Sequence, residues 1–296
     1  MTKLGFIGLG IMGGPMSAHL AAAGHAVRGY DVHADALAKL AAAGGTAATG
    51  IADAVADADV VITMLPNHPQ VEEVVLGPEG VLASARPGTL LIDMSTIRPE
   101  TSIEIARAAG DKGIRVLDAP VSGGQAGAEQ ASLSIMVGGE EEDVATARPL
   151  LEAVGSTIVH VGPHGAGQVV KAANQLVVGG IYGLVAEAIV LMEASGVDAK
   201  TGLDVLAGGL AANRILDLKR ESMVAREFRP GFRIDLHHKD MGIALAAARQ
   251  ADVSLPLTGL VAQLVAAGRS MGYGALDHSA LLKVTEQLSG RSEAQE

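Results

Sequence analysis

The chain has no cysteine and no tryptophan, and only three phenylalanines and three tyrosines among 296 residues. Without cysteine there is no disulfide framework, no thiol nucleophile and no thiolate metal site. So few aromatic rings leave a core of Ala, Leu, Val and Ile, and no platform on which nucleic-acid bases could stack. Positive charge is scarce as well. The chain has 22 Lys and Arg against 33 Asp and Glu, a formal net charge of -11. That excludes broad contact with nucleic acid or an anionic membrane surface, and leaves room for a small cationic site that takes an anionic metabolite. The opening MTKLGFIGLGIMGG breaks its apolar run with glycines at once, as a buried first strand does and a signal peptide does not, and the protein reads as cytoplasmic. The one long apolar run, Leu176 to Met192, is interrupted by Gly179, Gly180, Tyr182, Gly183 and Glu187. It reads as a soluble core helix rather than a membrane span, with most of its circumference buried.

What is present is glycine, 38 residues of it, and a length that suits two domains. Leu4 to Ile7 is a short apolar strand, followed by Gly8-Leu9-Gly10-Ile11-Met12-Gly13 and then the helical MSAHLAAAG. Strand, glycine turn and helix in that order let the backbone approach a pyrophosphate at a helix N-terminus. The next strand, Ala26 to Tyr30, ends at Asp31, eighteen positions after Gly13 and about where a carboxylate would hold the adenosine ribose hydroxyls. The pattern predicts dinucleotide binding. A carboxylate repels a 2'-phosphate and Val32 supplies no arginine to attract one, so NAD (as NADH) is favoured over NADP, with Arg28 and His33 as the residues that could oppose this.

Strand and helix alternation continues through Asp59 to Leu65, Thr89 to Met94, Leu133 to Val137, a charged helix from Glu140 to Val154, and a strand near Thr157 to Val161. This is a parallel α/β pattern, in which ligands sit beyond the carboxyl ends of the strands. Leu65-Pro66 and the loop holding Thr96 fall there, although Pro66 reads equally as a strand stop and Thr96 as a helix cap ahead of Pro99. Ser122-Gly123-Gly124 opens another strand end, either as a backbone cradle for a carboxylate or as a plain turn. The pattern changes at Gly162-Pro163-His164-Gly165. The expected architecture is a Rossmann-type parallel-sheet domain over residues 1–163, followed by an all-α domain over 164–296.

The second half opens on GAGQVVKAANQ, residues 165 to 175. Helical spacing puts Lys171, Asn174 and Gln175 on one face. Near a cleft between domains, a desolvated lysine could give or take a proton; alternatively it snorkels to water. Lys239, in FRIDLHHKD, is a second candidate. Adjacent His237 and His238 do not share a helix face and lack partner acids at ligand spacing, so no metal is expected.

Together these stretches resemble the β-hydroxyacid dehydrogenase family over nearly the whole chain: GFIGLGIMGGPM, TMLPN, LIDMSTI, DAPVSGG, GAGQVVKAANQ, PGFRIDLHHKD and DHSAL. The resemblance implies a nicotinamide cofactor, a small anionic aldehyde or hydroxyacid substrate, and a homo-oligomer (dimer or tetramer) formed largely through the helical half. It implies Lys171 as catalytic residue with Asn174 beside it, and Thr96 and Lys239 as cofactor contacts. Ser122, Gly123, Gly124, Asn174 and Gln175 match substrate-holding positions. Asn174-Gln175 replaces the paired asparagines of many members and matches a reductase-like subgroup, and lysine at 171 sets the chain apart from the imine-reducing relatives.

Overall fold

The computed structural model describes residues 1–291. It divides into two compact units, Met1–Lys171 and a second beginning at Ala172.

In the first unit β1 (Lys3–Ile7), α1 (Gly13–Ala22), β2 (Ala26–Tyr30), α2 (Ala34–Ala42), β3 (Thr46–Ala47), α3 (Ile51–Val55) and β4 (Val60–Thr63) alternate strictly. They are followed by α4 (His68–Leu76), α5 (Val81–Ser84), β5 (Leu90–Asp93), α6 (Pro99–Gly110) and β6 (Arg115–Asp118). These six strands run parallel in the order β3-β2-β1-β4-β5-β6, the doubly wound arrangement in which the order reverses beside β1. Beyond β6 the parallel alternation stops. β7 (Val121–Ser122), α7 (Gly124–Glu129) and β8 (Leu133–Gly139) turn the chain back, so that β8 lies antiparallel to both β6 and β7. After α8 (Glu141–Glu152), β9 (Gly155–Gly162) pairs parallel with β8.

Both faces of the sheet are covered. Leu4, Phe6, Val60, Ile62, Leu90 and Ile92 bury into one cluster, whereas their neighbours Ile7, Val61 and Leu91 bury into another. Successive side chains of a strand point to opposite faces, so a sheet covered on both sides demands continuous apolar runs such as VVIT and LLID.

The long helix α9 (Ala166–Ala194) begins in this unit. Its first residues belong there because β6 holds them: the Asp118 carboxylate accepts the backbone N–H of Gly165 at 2.7 Å and of Gln168 at 3.1 Å. An acid from a distant strand thus satisfies amides that a helix start leaves without partners. Gly167 packs so closely that a Cβ there would lie 2.5 Å from the Met136 carbonyl oxygen. The secondary structure therefore changes near residue 163, while the compact unit runs on to Lys171.

The second unit comprises the rest of α9 with α10 (Ala199–Ala207), α11 (Arg214–Val224), α12 (Ile234–Gln250), α13 (Pro256–Gly268) and α14 (Leu281–Leu288). Ile189, Leu203, Leu216, Met223, Met241, Val265 and Leu281 form its aliphatic core. The circumference of α9 is less buried than its apolar sequence suggested. Val177, Leu184 and Leu191 are 54%, 68% and 67% exposed, and their seven-residue spacing places them along one stripe of the helix. By length and composition α9 could cross a membrane, but 44% of its most apolar stretch is buried within the protein.

Candidate active site

The glycine turn between β1 and α1 is sterically determined. Gly8 has φ +94, and a Cβ on Gly13 would fall 1.9 Å from the Gly8 carbonyl oxygen, so neither position accepts a side chain. Gly10 differs. No protein atom lies within 4 Å of where its Cβ would be, and the residue is exposed. Here glycine is not required by the fold, and the open space beside a helix start is what a dinucleotide phosphate would need. Leu9 is buried beneath the turn, while Ile11 is exposed and Met12 half-buried at the entrance to α1.

Asp31 stands at the end of β2 and ties this turn together. Its carboxylate accepts the Leu9 N–H at 2.7 Å and the His33 N–H at 2.8 Å. One lone pair on each oxygen remains for ribose hydroxyls. Arg28 pairs with Asp53. Asp53 also accepts the Thr49 N–H, and that bond, together with Arg28, holds its carboxyl below the ordinary range. Arg28, one of the two residues that could have served a 2'-phosphate, is thus paired with an acid.

At the carboxyl ends of β4, β5 and β6 lies a buried polar network that the sequence reading did not single out. Asp93 accepts the Thr63 hydroxyl at 2.7 Å and the Ser95 N–H at 3.2 Å. Complete burial pushes its carboxyl up to about 6 against those two hydrogen bonds, with nearby Asp118 adding repulsion. Asp118 is likewise raised by burial, which outweighs the amides of Gly165 and Gln168. The Ser95 hydroxyl accepts the Leu65 N–H at 2.9 Å. The Gln168 side chain spans the Thr96 loop, accepting the Ile97 N–H at 3.1 Å and donating to the Ser95 carbonyl at 2.8 Å. Arg98, and not Thr96, occupies the cap position of α6; β4 ends at Thr63 and Asn67 caps α4, so Pro66 neither stops the strand nor starts the helix. Ser122 is half-buried on β7, and Gly123 and Gly124 have φ of +136 and +61, a conformation that turns the backbone into α7. Lys171 is 6% exposed, on the third residue after Gln168.

Within the second unit the amides of α9 are linked to α12. Asn174 donates to the Gln175 side-chain oxygen at 2.7 Å, and Gln175 donates to Asp240 at 2.5 Å. Lys239 pairs with Asp240 at 3.0 Å. His237 is fully buried and its Nε2 meets the Gln175 carbonyl at 3.1 Å, while its Nδ1 meets His278 Nδ1 at 3.0 Å. A carbonyl can only accept, so His237 donates from Nε2. Asp277, the first residue of DHSAL, is 1% exposed; it accepts the N–H groups of Gly231, Phe232 and Ser279 and pairs with Lys219 at 3.1 Å. Burial raises this carboxyl, but His278, Ser279, Lys219 and the Gly231 amide together hold it below the ordinary range. Asp277, His278 and His237 thus tie α9, α12 and the segment before α14 together within the helical unit. Among the described residues no three His, Cys, Asp or Glu side chains gather as metal ligands would.

Residues 3–162 match the model of the NAD binding domain of 6-phosphogluconate dehydrogenase. Residues 165–285 match that of the NAD-binding domain of NADP-dependent 3-hydroxyisobutyrate dehydrogenase. The chain is 40% identical to 2-(hydroxymethyl)glutarate dehydrogenase of Eubacterium barkeri, over 98% of this chain and 97% of that protein. It is also 40% identical to 2-hydroxy-3-oxopropionate reductase of Escherichia coli K12, over 97% and 98%. The solved 3-hydroxyisobutyrate dehydrogenase of Mycobacterium tuberculosis, determined with L-serine, superposes with a TM-score of 0.87 at 40% identity, covering 96% of this chain and 98% of that one. Three activities stand at the same identity, so identity alone does not choose the substrate.

Proposed function

Since the chain belongs to the β-hydroxyacid dehydrogenase family, NAD(P)-binding oxidoreductases of CH–OH groups, we propose that it reduces 2-hydroxy-3-oxopropanoate (tartronate semialdehyde) to glycerate with NADH. The reduced nicotinamide, when bound, supplies the hydride that the aldehyde carbon accepts. Gly8 to Gly13 hold the pyrophosphate at the start of α1 and Asp31 the ribose, with Leu65, Pro66, Thr96 and Lys239 as further cofactor contacts. Ser122 and the Gly123 and Gly124 amides hold the substrate carboxylate, so that the aldehyde is oriented before reaction. The Lys171 ammonium gives its proton to the aldehyde oxygen as the new C–H bond forms; in the reverse direction neutral Lys171 takes the alcohol proton.

The observation that carries the choice of substrate is the Asn174-Gln175-Asp240 chain of hydrogen bonds. Fixed amides suit a substrate with a 2-hydroxyl group, and a site built to bond a hydroxyl discriminates against an analogue that carries a methyl instead. This favours tartronate semialdehyde over methylmalonate semialdehyde, the product of a 3-hydroxyisobutyrate dehydrogenase, which the M. tuberculosis relative keeps as the second reading. The exposed stripe of Val177, Leu184 and Leu191 supports a homo-oligomer through the helical half, and the activity fits a cytoplasmic enzyme.

The test is NADH oxidation with tartronate, methylmalonate and succinate semialdehydes and glyoxylate. Highest kcat/KM for the first is expected. Preference for methylmalonate semialdehyde moves the assignment to the second reading, and cofactor binding without turnover of any of them would favour a non-catalytic dinucleotide-binding module or a substrate outside the panel. Lys171→Ala should lose about 100- to 10,000-fold in turnover while still binding NADH; near wild-type turnover refutes the role of Lys171.

A further inference from the structure

We infer that Gln168 is a positioning residue that fixes the Thr96 loop against the helix carrying Lys171. The inference rests on the cofactor role proposed for Thr96 and the catalytic role proposed for Lys171. Gln168 is 1% exposed, and both ends of its amide are used on the backbone of one short loop. Its oxygen takes the Ile97 N–H and its nitrogen donates to the Ser95 carbonyl, so the two bonds close on either side of Thr96. The amide cannot be reversed, because an N–H only donates and a carbonyl only accepts. The loop is further tied by Ser95, whose hydroxyl receives the Leu65 N–H and whose own N–H reaches Asp93. The other end of the linkage is rigid too: the backbone N–H of Gln168 is held by Asp118, and Lys171 follows at a spacing that keeps it on the same side of α9.

A side chain of this kind has a chemical signature that packing alone lacks. Leucine fills nearly the same volume but leaves a buried N–H and a buried carbonyl without partners. Glutamate keeps the shape and the acceptor, yet as a carboxylate it turns a second acceptor toward the Ser95 carbonyl. Only when protonated does it regain the donor. The titratable groups facing this linkage are Asp93, through Ser95, Asp118, on the Gln168 N–H, and Lys171, one turn along the same side of α9; all three remain in every variant, so comparison with wild type removes their contribution.

The experiment is NADH binding, by fluorescence titration between pH 6 and pH 8, for wild type, Gln168→Leu and Gln168→Glu, with kcat measured alongside. Gln168→Leu should weaken NADH binding by about tenfold or more and lower kcat. Gln168→Glu should bind weakly at pH 8 and recover toward wild type as the pH falls, a trend that neither wild type nor Gln168→Leu shows. Binding by Gln168→Leu within twofold of wild type, or a Gln168→Glu profile parallel to wild type, overturns the inference. Should Gln168→Leu fail to fold, the Gln168→Glu profile decides. A fully active Lys171→Ala would instead sink the proposed chemistry, and the NADH titrations would still judge Gln168 by themselves.

Discussion

Asp93 offers a quantitative test of how the sheet unit tolerates its buried polar network. Its carboxyl rises from 3.8 to about 6 because burial penalises the anion more than Thr63 and Ser95 stabilise it. At 1.36 kcal/mol for each pH unit, that difference amounts to about 3 kcal/mol. A raised carboxyl means that the folded state binds the proton more tightly than the unfolded chain. Its contribution to stability is therefore fully present below about pH 4, falls as the pH climbs toward 6, and stays lost above. Asn cannot ionise, so Asp93→Asn should lack this decline. Asn keeps an acceptor for the Thr63 hydroxyl but places an N–H where the second Asp93 oxygen is buried without a partner. That imposes a constant cost of about 1–3 kcal/mol. The absolute order of the two proteins at one pH is thus less informative than the change in their difference. From pH 4 to pH 7 the stability of Asp93→Asn relative to wild type should improve by about 2–3 kcal/mol, since part of the effect already lies below pH 4. For a unit of this size that is about 5–10 °C in relative melting temperature. Thermal melts of both proteins by far-UV circular dichroism, at half-unit pH steps, measure it, and titrating groups that do not interact with Asp93 cancel in the difference, leaving the smaller Asp118 repulsion within it. A difference constant to within about 1 °C across that range would refute the reasoning.

Gly10→Ala and Gly13→Ala should separate fold from function in the glycine turn. A Cβ at Gly10 meets nothing in the protein, so its melting temperature should be unchanged while NADH binding drops; wild-type NADH affinity in Gly10→Ala argues against phosphate binding there. Gly13→Ala forces a clash with backbone and should lose both stability and NADH binding, and a melting temperature equal to wild type counts against the packing described. Asp31→Asn removes the charge that repels a 2'-phosphate, so the NADH over NADPH ratio of kcat/KM should narrow; a wild-type protein that prefers NADPH would refute the cofactor assignment outright. Asp277→Ala strips partners from three backbone amides and from Lys219, and should cost about 3 kcal/mol or more. Because this carboxyl is held low, its contribution is present near neutral pH and is lost as acid protonates it, so the difference between variant and wild type should shrink on acidification. A difference that grows in acid would contradict this.

The sequence spelled out the parts of the fold that depend on short-range rules. VVIT and LLID read as buried strands because both sheet faces are covered, and the glycine hexad read as a turn because Gly8 and Gly13 have no room for a side chain. Asp31 was legible as the acid after β2, but not its bond to the Leu9 N–H, which joins residues brought together only by the pairing of β1 and β2. The antiparallel return of β8 was missed for a related reason: a six-residue helix and a two-residue strand carry too little periodicity to reveal direction. Gln168 was the most accessible omission. It lies one turn before Lys171 in the same motif, and the spacing rule that grouped Lys171 with Asn174 and Gln175 applies equally toward the N-terminus. What that rule could not supply was the partner, since Ser95 and Ile97 lie more than seventy positions away in sequence. DHSAL shows the converse limit. As a motif it pointed to activity, yet its acid and histidine are consumed in holding backbone amides and His237. The segment thus reaches the helix backbone at Gln175 through His278 and His237, a linkage across sixty or more positions that a motif does not reveal.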